Sequence, residues 1–208
     1  MKCIICNQRK GRRDCPALGG LICTQCCGSN RGIEIKCPDD CSYFGQAMGK
    51  KWYDLFHPAW SRIKDEKKRD LLLDSVNTCF PLIIFLQRGM LRTILGLTDP
   101  RDEFILEAIK LLEAGYSAGE KGIIYEPSST NPNTQTIVRE MREQIAREEK
   151  ETRIPPEFLA ESFRILVLFA ENYTGEQTGE DSYAQLLRQF HPTVEVPEQK
   201  SGRIIITG

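Results

Sequence analysis

The sequence predicts a small metal-stabilised module followed by a mainly α-helical domain of about six helices with one or two short strands. Two observations lead to this fold class. Eight of the nine cysteines lie within the first 41 residues, and beyond about residue 47 apolar residues recur at helical spacing. Since a chain of 208 residues can hold one ordinary domain and a small module, we expect residues 1–46 to form the cysteine-rich module and residues 47–208 the helical domain.

The clustered cysteines are spaced as metal ligands. The amino terminus has no apolar stretch long enough for the core of a signal peptide, so we expect a cytoplasmic protein whose thiols stay reduced. Two or three residues separate the paired cysteines, which lets a tight turn direct two sulfurs at one cation. Glycines and prolines between the pairs favour turns rather than helices. The predicted ligands are Cys3, Cys6, Cys15, Cys23, Cys26, Cys27, Cys37 and Cys41.

Eight thiolates divide into two tetrahedral sets, which predicts two bound zinc ions. In an interleaved arrangement, the pairs Cys3–Cys6 and Cys23–Cys26 hold the first ion. The second set is then Cys15, Cys27, Cys37 and Cys41. The alternative cofactor is an iron–sulfur cluster, although the cysteine spacing of bacterial ferredoxins is absent. A thioredoxin-like dithiol would need a βαβ context, whereas loops are predicted around both CxxC pairs.

The successive cysteine groups CIIC, DCP, CTQCC and CPDDC resemble the treble-clef or cross-brace zinc modules of the HIT and MYND kind. The resemblance covers residues 1 to about 45 and implies a role in protein–protein contact. The chain departs from this pattern at Leu18, where a second cysteine would complete a pair with Cys15, and Cys27 takes the place of the missing ligand.

Few large apolar side chains occur in the module, so burial alone cannot stabilise it. Structural zinc contributes about 10 to 16 kcal/mol of apparent folding free energy per ion in small fingers. We therefore expect the module to unfold when metal is removed. Within it, the alternation of Ile33 and Ile35 with polar neighbours predicts a short strand, and Tyr43 and Phe44 are expected to cover the metal core.

A basic loop, NQRKGRRD, lies between the first two cysteine groups. One interpretation is contact with nucleic-acid phosphates through Arg9, Lys10, Arg12, Arg13 and Arg31. The other is charge compensation: residues 1–50 carry eight basic and four acidic side chains, and two zinc–tetrathiolate sites would cancel that surplus. No aromatic residue interleaves with the loop to stack on bases. The whole chain, with a net charge of −1, offers no general attraction to nucleic acid or anionic lipid.

Helical periodicity follows the last metal-ligand candidate. Trp52, Phe56 and Trp60 recur every four residues and predict a helix that ends near His57, because Pro58 follows. The next helix is predicted to begin after a capping Ser61.

Two further prolines are expected to mark helix boundaries. Pro81 is predicted to interrupt the second helix and to open a third one that extends to Leu95. The following helix is predicted to start at Asp99 as the cap, with Pro100 in its first turn.

Three later helices and two short strands complete the predicted domain. A narrow apolar seam predicts an outer helix, a stretch that is apolar all round predicts a central one, and a last helix follows. Their sequences are IVREMREQIAREEKE, FRILVLFA and DSYAQLLRQF. The strands are IIYE at 123–126 and RIIITG at 203–208, which could pair with each other.

The sequence carries no motif for catalysis. It has two histidines, no glycine-rich phosphate loop and no HExxH motif, and ligand sets made only of cysteine predict closed metal sites. We therefore expect a non-catalytic adaptor or regulator that binds an unidentified protein partner. The alternatives are a nucleic-acid-binding factor and an iron–sulfur redox protein. No membrane contact is expected, because the longest apolar run, FPLIIFL at 80–86, is too short to span a bilayer.

Overall fold

The structure is a computed structural model that describes residues 1–38, 41–174, 181–192 and 194–195. The chain divides into two compact units. Of the described residues, the first unit contains 1–38, 41–57 and 189–192, and the second contains 58–174, 181–188 and 194–195. The sequence predicts a division after residue 46, whereas a helix that begins at Ser42 continues without a break to Trp60.

The first unit begins with a two-stranded antiparallel sheet and a short helix. Strand β1 is Arg13–Cys15, strand β2 is Gly20–Ile22, and helix α1 is Thr24–Asn30. In the sheet, Arg13 lies opposite Ile22 and Cys15 lies opposite Gly20. The chain before β1 lies beside β2 at Gly11, where a Cβ atom would come within 2.7 Å of the Leu21 Cβ, so only glycine fits.

Two local predictions in this unit are wrong. Helix α1 contains Cys26 and Cys27, where only turns are expected, because its sequence TQCCGSN has no apolar period to indicate a helix. The predicted strand at Ile33 and Ile35 is a turn closed by an isolated bridge from Arg31 to Ile35. Gly32 turns the chain there with a φ of +68°, which leaves Ile33 78% exposed and Ile35 buried.

Six helices follow, and they confirm the predicted fold class. Helix α2 precedes the long helix α3, and four shorter helices complete the described chain. Their bounds are α2 Ser42–Trp60, α3 Glu66–Ile94, α4 Asp102–Glu120, α5 Pro132–Glu148, α6 Pro156–Glu171 and α7 Ser182–Phe190.

Neither internal proline ends its helix, contrary to prediction. Pro58 lies inside α2 and Pro81 lies inside α3. Proline in a helix interior costs about 3 kcal/mol, because one backbone hydrogen bond is lost and the ring crowds the preceding turn. In α3, fully buried residues on both sides of the proline, such as Val76 and Ile83, provide apolar burial that offsets this cost.

The predicted helix caps are also wrong. Asp65, and not Ser61, caps α3 by accepting a hydrogen bond from the Lys68 backbone N–H at 3.1 Å. Helix α4 begins at Asp102 after Arg101, whose side chain makes no capping hydrogen bond, so Asp99 is not the cap. Ser61 and Asp65 both precede α3, and their order in the sequence does not decide which one caps.

The core of the second unit is built from α3, α4, α5 and α6. The predicted central segment 163–170 forms half of α6, and Phe163 is fully buried, with its ring stacked on Tyr116 of α4 at 5.3 Å between centroids. In α5, the predicted seam is buried. Residues 123–126 form no strand, and their predicted partner at 203–208 lies outside the described residues.

Helix α3 is long and apolar enough to cross a membrane, by length and composition only. The sequence predicts no such segment because its longest uninterrupted apolar run, at 80–86, is short. The continuous helix α3 joins this run to other apolar residues on either side. In the fold, α3 packs against α5 and α6 and contributes buried side chains such as Leu86 and Met90 to the core.

Candidate metal centre

Four cysteine sulfurs form a compact cluster in the first unit. The Sγ atoms of Cys3, Cys6, Cys23 and Cys26 all lie within 4.8 Å of one another. Since a zinc–sulfur bond is about 2.3 Å, tetrahedral sulfurs around one zinc ion are about 3.8 Å apart. Four soft thiol ligands at this separation fit a single tetrahedral metal ion. They are the four cysteines that the interleaved arrangement assigns to the first site.

Three local structures bring these sulfurs together. The first pair lies in a turn closed by a hydrogen bond from the Asn7 N–H to the Cys3 carbonyl at 2.9 Å, and Asn7 takes a φ of 52°. The Ile4 N–H donates to the Leu21 carbonyl at 3.0 Å, which holds this turn against β2. Immediately after β2, Cys23 caps α1, and its sulfur accepts a hydrogen bond from the Cys26 N–H at 3.4 Å.

The electrostatics of the cluster favour a bound cation. Burial would raise the pKa of the Cys3 thiol, but backbone N–H groups of Cys6, Cys23 and Ile5 donate to its sulfur and lower the pKa to about 6. The side-chain hydrogen bond with Cys23, together with burial, raises the pKa of Cys26 to about 12. Clustered thiols cannot all ionise without a positive charge between them, because neighbouring thiolates repel each other. A divalent metal ion would remove that repulsion.

The remaining four cysteine candidates also lie near one another, but less tightly. Cys15 and Cys27 are buried in the same small core, and Cys37 packs against it. Burial raises the pKa of Cys37, and the negative charges of Cys41, Cys15 and Cys27 raise it further, so the four thiols lie within electrostatic range. In the described part of the chain, these four do not form a cluster within 4.8 Å as the first four do.

The fold directs some basic side chains of the loop at cysteine sulfurs and leaves others exposed to solvent. Arg9 Nη1 donates to Cys23 Sγ at 4.0 Å, and Arg13 Nη1 donates to Cys27 Sγ at 3.2 Å. The Arg13 guanidinium also lies over the Tyr43 ring, 4.7 Å from its centroid. One arginine therefore faces each predicted ligand set, as charge compensation requires.

Arg31, the last of the five predicted nucleic-acid contacts, is also used within the chain. Its Nη1 donates to the Tyr43 carbonyl at 2.8 Å, and its Nε donates to the Cys27 carbonyl at 3.3 Å. Lys10 and Arg12 are exposed, and their side chains make no hydrogen bond or ion pair with the described residues. Only two of the five candidates thus keep a free charged group.

Sequence reasoning missed two features of the site. Nothing in the cysteine spacing indicates that Cys23 caps a helix, because the cap depends on the conformation of the chain after β2. Lys2, which forms an antiparallel bridge with Lys10, adds a further exposed cation outside the predicted basic loop. The pairing of these two residues comes from the backbone path of the first turn and has no signal in the sequence.

No protein-family model, curated protein or solved structure matches this chain. The four-cysteine cluster of the HIT-like or MYND-like pattern is present, whereas membership of either family has no support from a match. The chemistry of the site therefore follows from the residues of this chain.

Proposed function

We propose that this protein binds two zinc ions in its amino-terminal module and acts as a non-catalytic adaptor or regulator through contact with a protein partner. The observation that carries the proposal is the cluster of four cysteine sulfurs within 4.8 Å of one another. The second ion is assigned to the neighbouring set of Cys15, Cys27, Cys37 and Cys41.

Zinc is favoured over an iron–sulfur cluster by the size of the first site. A cluster places several iron and sulfide atoms between its thiolate ligands and needs those ligands farther apart than a single ion does. Thiolate sulfur also suits zinc, which has no redox chemistry of its own.

A structural role for the metal is supported by the ligand chemistry. Catalytic zinc sites keep one position for water or substrate, whereas four cysteine ligands fill all positions of a tetrahedral ion. The first cysteine turn, the β1–β2 hairpin and helix α1, which is capped by Cys23 and contains Cys26, together hold the four sulfurs, and the sequence resembles treble-clef modules. Such modules generally act in protein–protein contact. Because the site needs reduced thiols, we place the protein in the cytoplasm.

A nucleic-acid-binding factor is a weaker candidate. Three of its five predicted contacts donate to sulfurs or carbonyls of the chain itself, which leaves Lys10 and Arg12 for phosphate. Two cations give a small counterion-release term and hence weak binding with a shallow salt dependence.

Elemental analysis of protein purified under reducing conditions tests the proposal. We expect about two zinc ions per chain and no visible absorbance, as two closed tetrathiolate sites require. Cys6→Ser and Cys37→Ser should each reduce the zinc content by about one ion, since each removes a ligand from a different set. Cys79→Ser is the matched control, because Cys79 is buried in α3 of the second unit.

The expected control result is an unchanged zinc content in Cys79→Ser. Protein that carries no stoichiometric metal would contradict the proposal. Stoichiometric iron with a coloured preparation would replace it with the iron–sulfur alternative.

A further inference from the structure

Three large apolar side chains are exposed on the turns that surround the first metal site. Ile4 is 47% exposed, Ile5 40% and Leu18 44%. We name these three residues the knuckle patch. The Ile4 side chain lies against Gly20, where a Cβ atom would be 3.1 Å from Ile4 Cδ1, and Leu18 lies in the turn that leads to Gly20. The patch therefore spans the first cysteine turn and the adjacent hairpin turn.

Exposed cations lie on the backbone segments that pair with the first cysteine turn and with β2. Lys2 precedes the cysteine turn by one residue and is bridged to Lys10 across an antiparallel pair, and the Cys3 N–H donates to the Arg9 carbonyl at 2.8 Å in the same pair. Arg12 immediately precedes β1, and its N–H donates to the Ile22 carbonyl at 2.9 Å.

The charges of these cations are available for a partner. Arg9 and Arg13 face the thiols and offset the charge of the metal sites, whereas Lys2, Lys10 and Arg12 are exposed and make no side-chain hydrogen bond or ion pair with the described chain. The surface thus combines apolar side chains with unpaired positive charge. Such a combination is complementary to a segment that carries large apolar side chains between carboxylates.

We infer that the knuckle patch, with Lys2, Lys10 and Arg12, binds a short acidic peptide segment of a partner protein through one or two large apolar anchors. This inference rests on the proposed function and names the chemistry of its partner. The apolar anchors cover Ile4 and Leu18, and the carboxylates pair with the cations along the edge.

A peptide fits this surface better than nucleic acid does. The side chains at the centre of the patch are aliphatic, and bases bind single-stranded sites by stacking on aromatic rings or guanidinium groups. Isoleucine and leucine side chains offer no such stacking surface, but they do form the water-excluded centre of a protein interface.

The test is selection of phage-displayed random dodecapeptides on the zinc-loaded full-length chain, followed by fluorescence anisotropy with the enriched peptides. We expect enriched peptides that combine Leu, Ile, Phe or Trp with several Asp or Glu residues. Their affinity should fall by at least about tenfold in Ile4→Ser/Leu18→Ser, because anchors at the centre of an interface carry most of its binding energy.

The triple variant Lys2→Glu/Lys10→Glu/Arg12→Glu should weaken binding to a similar extent and remove most of its salt dependence. Two matched controls should leave the affinity unchanged. Ile33→Ser removes an isoleucine of the same unit that is 78% exposed and lies near the second ligand set, and Lys50→Glu reverses an exposed charge on α2. If Ile4→Ser loses zinc, Ile5→Ser replaces it in the double variant, since Ile5 is also exposed.

Zinc content is measured on each preparation and separates the two proposals. Wild-type protein without zinc refutes the proposed function. Zinc-loaded protein that enriches no acidic peptides, or peptides whose binding ignores the patch variants, overturns this inference and leaves the proposed function standing. Direct binding of single-stranded RNA or of anionic phosphatidylserine vesicles that the triple charge-reversal variant abolishes, with no acidic peptide selected, overturns it in favour of those ligands.

Discussion

Different forces stabilise each of the two compact units. In the first, the small core around the metal-ligand candidates consists of four buried cysteines together with Ile22 and Ile35. In the second, aromatic and aliphatic side chains such as Phe163, Leu112 and Ile83 are fully buried between helices. The cysteine-rich part of the first unit therefore depends on what its sulfurs bind, whereas the helices, including α2 with its buried Trp52 and Phe56, depend on apolar area removed from water.

The charges follow the same division. In the first unit, Arg9 and Arg13 are directed at sulfur atoms, so their placement makes sense only if those sulfurs carry negative charge. In the second unit, the main buried charge is Asp102, which accepts hydrogen bonds from the backbone N–H groups of Tyr183 and Ala184. There the carboxylate caps α7 from another helix.

Metal removal should produce the largest difference in stability between the cysteine module and the helical unit. With each structural zinc ion contributing about 10 kcal/mol or more, excess chelator should unfold the cysteine module and leave the helical unit folded. Hydrogen exchange measured by mass spectrometry should show loss of amide protection in residues 1–35 and unchanged protection in α4, α5 and α6. A module whose amides stay protected in chelator would contradict the contrast between the units.

A change in the helical core should have the reverse effect. Phe163→Ala should lower the free energy of unfolding of the helical unit by about 3 to 5 kcal/mol, because it leaves a cavity and removes the ring that stacks on Tyr116. Urea denaturation followed by far-ultraviolet circular dichroism measures this change, and zinc content should stay the same.

Phe158→Ala provides the matched control for this experiment, since Phe158 lies on the same helix and is 41% exposed. Phe158→Ala should lower the free energy of unfolding by clearly less than Phe163→Ala does. Equal costs for the two variants, or loss of zinc in Phe163→Ala, would mean that the two units do not depend on separate forces.

The smallest expected effect concerns the cap of α7. Asp102→Asn replaces one carboxylate oxygen with an NH₂ group that cannot accept, so one of the two N–H groups at Tyr183 and Ala184 loses its partner at a cost of about 1 to 3 kcal/mol. Hydrogen exchange should increase first in α7. Asp70→Asn, at an exposed position of α3, is the control and should have no measurable effect.

The same variant has a predicted pH dependence. Burial raises the pKa of the Asp102 carboxyl, so the folded chain holds the proton more tightly than the unfolded chain does. The stability of the wild type relative to Asp102→Asn is therefore greatest below the unfolded pKa and declines as the pH rises through the folded pKa. Urea denaturation across the acidic range measures this, and a difference that grows with rising pH would contradict it.

The helical periodicity of the sequence predicted the fold class and most helices, and it failed where a local signal competed with packing. Pro58 and Pro81 are strong local stop signals, yet both lie inside helices because burial on either side outweighs one lost hydrogen bond. Helix α1 escaped prediction for the opposite reason, since its residues have no apolar period and are held by contacts of the cysteine module. Neither case could be decided within a short window of sequence.

The sequence by itself determined the chemistry of the first unit: clustered thiols at short spacing, a surplus of positive charge and too few apolar side chains for a self-sufficient core. These properties depend only on which residues occur and on their spacing along the chain, so they can be read from the sequence. The tertiary structure brings together Cys3, Cys6, Cys23 and Cys26, which the sequence proposed as one set, and it alone decided that Arg9 and Arg13 face sulfur while other cations face solvent. Such groupings join residues far apart in sequence, so they depend on the path of the folded backbone.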